Sequence, residues 1–68
     1  MALRYEIRLR GRVGDHLAAA LGLEAEPEPE PERSVLSGRL TASDLRAALA
    51  RLEERGLEVI ELRRLPDA

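Results

Sequence analysis

The single histidine, His16, follows Gly14 and Asp15 and runs into Leu17-Ala18-Ala19-Ala20. A glycine-containing loop opening a helix presents free backbone N–H groups, which can hold an anion, and an imidazole beside it can exchange a proton. Gly14, Asp15 and His16 are therefore a candidate ligand loop. The plainer reading is a histidine exposed at a helix start. As a metal centre the loop is poor, because a lone imidazole without a second histidine or any cysteine leaves carboxylates to supply every other ligand. The hydroxyl nucleophiles fare no better. Thr41 and Ser43 read as helix caps, Ser34 and Ser37 fall on a strand, and no G-x-S-x-G turn is present. Paired-carboxylate chemistry needs a desolvated carboxyl, and nearly every acid here falls on a predicted solvent face. We expect no catalytic residue, no metal and no cofactor, and hence no enzyme.

Arginine is the more promising chemistry. All eleven basic residues are arginine, and four of them, Arg4, Arg8, Arg10 and Arg12, crowd the first twelve positions. With Arg39 they form a candidate interaction face. Basic residues on an open sheet suit RNA, but recognition there relies on aromatic stacking platforms. Tyr5, the only aromatic, alternates to the inner side, so nucleic acid is not the expected partner. Net charge is −2, with five glutamates and no basic residue between positions 24 and 32, which leaves the rest of the chain at +3. The acidic segment of one copy could lie along the arginine face of another, since guanidinium suits planar, bidentate carboxylate pairing. Self-association, as a homodimer, is the expected partner relationship, with the contact made by the outward arginines of the first strand or by an exposed sheet edge.

These residues need elements to hold them. Leu3 to Arg10 alternates apolar and charged residues without a break, the period-two pattern of a half-buried strand. Leu3, Tyr5, Ile7 and Leu9 face inward, with the arginines outward. Asp15 near its start and Gly22 at its end bound a short helix carrying Leu17, Ala20 and Leu21. Leu23-Glu24-Ala25-Glu26 is a short edge strand. Proline then interrupts it, and the Glu-Pro repeat of 26–32 becomes an extended edge or hairpin arm. Ser34 to Leu40 is a second alternating strand, in which Gly38 signals a bulge or a helix packed close above it. Thr41-Ala42-Ser43-Asp44 is a capping box ahead of Leu45, Ala48, Leu49 and Leu52, the apolar stripe of an amphipathic helix. Gly56 ends that helix, and Leu57 to Leu62 is the last strand. The predicted core is Tyr5, Ile7, Leu9, Leu36, Leu40, Leu45, Leu49, Leu52 and Ile60.

Strand, helix, short strand, strand, helix, strand is the split βαβ pattern of the ferredoxin-like fold. We therefore expect an α+β chain, βαββαβ, with a four-stranded antiparallel sheet, two helices on one face and the second strand short or degenerate at an edge. One domain spans residues 1–68. The loop between the first strand and first helix is where ACT-like modules of this fold bind small molecules, and Gly14-Asp15 is similar to it. Gly38-Arg39-Leu40, the stripe from Leu45 to Leu52, and the ending Gly56-Leu57-Glu58-Val59-Ile60-Glu61-Leu62-Arg63-Arg64-Leu65-Pro66 resemble small uncharacterised proteins of actinobacteria. So does Tyr5-Glu6-Ile7-Arg8-Leu9-Arg10-Gly11-Arg12. That resemblance implies the ferredoxin-like fold and carries no known activity or site residues.

Composition sets the remaining bounds. Sixty-eight residues without cysteine exclude disulfides, zinc thiolates and iron–sulfur clusters. Lysine, asparagine and glutamine are absent too, which suits a GC-rich bacterial genome and is compatible with a hot habitat. The longest apolar run, Leu17 to Leu21, is far short of the ~20 residues that span a bilayer. No secretory signal is visible, so a cytoplasmic location is expected. The residues favour a small non-enzymatic interaction or regulatory module that self-associates. The alternative is a binding module for a small ligand, ACT-like, or for nucleic acid.

Overall fold

The computed structural model describes residues 1–27 and 30–66. In chain order the elements are β1 (Leu3–Arg10), α1 (Asp15–Ala20), β2 (Glu24–Glu26), β3 (Arg33–Leu40), α2 (Ala42–Glu54) and β4 (Glu58–Arg64). The four strands form one antiparallel sheet in the order β2-β3-β1-β4. Both helices cover the same face, which is the ferredoxin-like βαββαβ fold that the strand and helix pattern predicts. Of the Glu-Pro repeat at 26–32, expected as an edge or arm, residues 28 and 29 lie outside the described residues. Among the described residues no helix is long and apolar enough to cross a membrane.

Helix ends follow the sequence closely. The Thr41 hydroxyl accepts the Asp44 backbone N–H at 3.1 Å, so one orphan donor of α2 is satisfied, while Ser43 sits exposed within the first turn. Both helices close with the same paired bonds: Leu23 N–H to the Ala18 carbonyl with Gly22 to Ala19, and Leu57 to Leu52 with Gly56 to Glu53. These are Schellman motifs, and they need a left-handed residue in the penultimate place. Gly22 (φ 76°) and Gly56 (φ 77°) supply it.

The core lies between the sheet and the helices. Ile7, Leu9, Leu36 and Leu52 are fully buried, with Leu40, Ala18 and Ala48 around them. Tyr5, Leu45 and Leu49 are partly buried against this cluster, at its margin. Val13, Leu21 and Leu23 are core residues from the stretches flanking α1, and they enlarge the predicted set. Leu23 arrives there through the Schellman turn, which folds the residue after Gly22 back onto the helix.

Ile60 corrects the predicted core: it is 43% exposed. The register explains why. Arg8 opposes Glu61, but Leu9 opposes Val59, so Ile60 is the extra residue of a β-bulge. The bulge resets the alternation. Val59 and Leu62 share the helix-side face opposite Leu9 and Ile7, while Glu58, Glu61 and Arg63 share the open face.

Candidate functional site

Two places gather the chemistry-bearing residues: the open face of the sheet, and a groove where α1 begins and α2 ends.

On the open face the register sets charged residues in rows across the strands. Glu24, Ser37, Glu6 and Arg63 make one row; Glu26, Val35, Arg8 and Glu61 the next; Arg33, Arg10 and Glu58 a third. Arg4 and Arg39 oppose each other beyond the first row. Acids and bases mix within and between the rows, and ion pairs result. Arg8 Nε lies 3.1 Å from Glu6 and 3.4 Å from Glu61, Arg63 lies 3.9 Å from Glu6, and Arg10 lies 3.8 Å from Glu58. Glu6, with only 15% of its side chain exposed, is the centre of this network. The Arg8–Glu6 pair runs along β1 and the other three cross to β4; partly exposed pairs of this kind are worth about 0.2–1 kcal/mol each. Val35 and Ser37, although on the open face, are 8% and 7% exposed, and their cross-strand neighbours are the long side chains of Arg8 and Glu26, and of Glu6 and Glu24.

The predicted interaction face is thus divided. Arg4, Arg8, Arg10 and Arg39 do lie on the open sheet, joined by Arg33. Arg12 does not, because β1 stops at Arg10 and the chain turns away. The acidic segment is not a separate pole either: Glu24 and Glu26 sit on the same open face, and Glu30 pairs with Arg33 of its own chain at 3.6 Å. The face has no aromatic side chain, since Tyr5 stands on the helix side opposite Gly38.

The ligand-loop residues fall at the other place. Gly14 is the N-cap of α1, and Asp15 and His16 are its first two residues, all exposed. A Ser34 hydroxyl fixes the loop ahead of them, accepting from Val13 N–H at 3.0 Å and donating to the Gly11 carbonyl at 2.6 Å. This contact accounts for the burial of Ser34. Gly14 and His16 line an open groove of about 480 Å³ together with Arg12, Arg51 and Arg55. Asp15 is not part of its lining. In the sequence, the i, i+4 spacing of Arg51 and Arg55 is the signal that the two share a face. Among the described residues no group of three or more His, Cys, Asp or Glu side chains is arranged to hold a metal ion.

A third feature is the sheet edge, where the sequence left open which strand is exposed. Leu62, 42% exposed, and Ile60 stand on β4, an edge strand of seven residues, whereas the opposite edge, β2, has three and is cut short by Pro27.

No curated protein and no solved structure matches the chain. A family model does, over residues 4–63, from the second residue of β1 to the penultimate residue of β4. The chain belongs to that family, described as a domain of unknown function (DUF8691).

Proposed function

We propose that the protein is a non-enzymatic interaction module that works as a homodimer, joined edge to edge through β4. The observation that carries this reading is the self-complementarity of that edge. A long, exposed strand edge is a template for pairing with another chain unless something blunts it. Here β2 is blunted by its length and proline, and β4 from Glu61 to Arg64 is open.

The geometry of pairing follows from the ladder. Leu65 N–H donates to the Arg4 carbonyl at 2.9 Å, and antiparallel bonding alternates along a strand, so the backbone groups of Leu62 and Arg64 point outward. Two copies related by a two-fold axis at Leu62 would set Leu62 against Leu62, and Glu61 against the second copy's Arg63 on the open face. An axis at Glu61 would instead oppose two carboxylates. Charge therefore selects the first register, and apolar surface at Leu62 is covered in it.

Sedimentation of the full chain tests the reading. The wild type should be dimeric at ~1 mM, where a complex stabilised by about 4 kcal/mol is half formed. Leu62→Lys should give monomer, and Glu61→Arg should weaken the dimer. Adding Arg63→Glu to Glu61→Arg restores opposite charges across the axis and should recover it. A wild-type chain that remains monomeric at ~1 mM would overturn the proposal.

The GC-rich bacterial source expected from composition belongs to the same reading, and the exclusive use of arginine supports it.

A further inference from the structure

Three arginines line one groove, where α1 begins and α2 ends, with no acid in the lining. Arg12, in the loop after β1, and Arg51 and Arg55, one turn apart at the end of α2, line the groove with His16. No aspartate or glutamate contributes to that lining. Among the described residues none of these three arginines takes part in an ion pair, whereas Arg8, Arg10, Arg33 and Arg63 each do. Arg12 donates one hydrogen bond, at 3.1 Å, to the neutral carbonyl of Pro31. Arg51, in the last turn of α2, and Arg55, its C-cap residue, place like charges four positions apart, a spacing that costs stability rather than adding it. The α2 dipole accounts for one cation near the C-terminus; it gives no reason for two that converge on a third from another element.

The groove is also shaped for more than a bare ion. Leu17 and Leu57 supply apolar lining beside the guanidinium groups, and about 480 Å³ lies within the range of small-molecule sites. We propose that it binds a small phosphorylated metabolite through a diphosphate or polyphosphate group. Guanidinium forks match phosphate oxygens and form strong charge-assisted hydrogen bonds. A single phosphate ester brings a charge of only about −1.5 to −2 at neutral pH, short of three arginines, so a diphosphate is the better match. No lining residue belongs to β4, so this site stands independently of the edge pairing.

The test is a titration of the ¹⁵N-labelled full chain with inorganic pyrophosphate at constant ionic strength, with citrate as the carboxylate comparison. Pyrophosphate should give saturable shifts confined to the amides of residues 12–17 and 51–57. Arg51→Gln and Arg55→Gln should each weaken it about tenfold, the loss expected of one charge-assisted contact. Arg46→Gln, on α2 but outside the groove, and Arg10→Gln, on the sheet, should leave affinity unchanged. All four positions are exposed, so dispersed amide spectra confirm that each variant folds. Shifts that never saturate, an Arg46→Gln effect as large as that of Arg51→Gln, or equal affinity for citrate would each overturn the assignment.

Discussion

Leu49 and Leu52 sit one turn apart on α2 and look alike in a helical-wheel reading, yet only Leu52 is fully buried. Leu49 packs at the margin, because a helix lying on a twisted sheet buries the centre of its apolar stripe more deeply than its flanks. The difference has a measurable consequence. Leu52→Ala should cost about 2–5 kcal/mol, since it removes a buried side chain and leaves a cavity in a small core. Leu49→Ala should cost about 1–2 kcal/mol, because partial exposure reduces both the transfer loss and the cavity. Urea unfolding of the two variants gives the order directly. If Leu49→Ala proved the more damaging, α2 would have to be rolled about its axis relative to the position described here.

At the scale of elements, Gly38 of β3 makes the close contact with the turn that ends α1. A Cβ added there would lie 2.9 Å from Leu23 Cδ2, 3.0 Å from the Gly22 carbonyl oxygen and 3.3 Å from Leu23 Cα. Two of those three atoms are backbone, so the Schellman turn itself would have to move. Gly38→Ala should therefore destabilise by about 1–3 kcal/mol, the usual range for forcing extra volume into a packed site, and thermal unfolding would show it. A neutral result would mean that the turn after α1 rides loosely on β3. The sequence carried half of this contact. Glycine in an alternating strand says that something approaches closely, but whether a helix or the turn beyond it does so depends on where α1 ends in space. The same division runs through the molecule. Alternation from Leu3 to Arg10, the Thr41 cap and the glycines after each helix are local signals, written in side-chain types and backbone preferences, and all were legible. The bulge at Ile60 was not, because Leu57 to Leu62 offers apolar residues at both parities and only pairing with β1 decides which of them faces inward. The groove was half legible: Gly14 and His16 stood out, but Arg51 and Arg55 come from a helix some 40 residues away, and tertiary packing alone brings them together.

For the whole molecule, the relevant quantity is how little stability a chain of this size can hold. A domain of about 60 residues buries only about 60% of its unfolded surface, and this core is built from Leu, Ile, Val and Ala with Tyr5 at its edge. Edge pairing through β4 would add stability that depends on concentration, because a dimer that forms only from folded chains draws the folding equilibrium with it. The melting temperature should then rise as protein is increased from about 10 μM to about 1 mM, with each kcal/mol gained raising it by about 4–8 °C. Salt distinguishes edge pairing from the alternative in which an acidic segment docks on another copy's arginine face. The Glu61–Arg63 pairs of the edge model are exposed and worth little, so backbone bonds and Leu62 carry the contact. Raising salt from 0.05 to ~0.5 M, where the Debye length falls to about 4 Å, should leave the concentration dependence nearly intact. Docking on the arginine face would lose it under the same change. That second mode is also the one the sheet itself opposes, since Arg8 holds Glu6 and Arg10 holds Glu58 of their own chain, and edge pairing through β4 leaves both of these pairs in place.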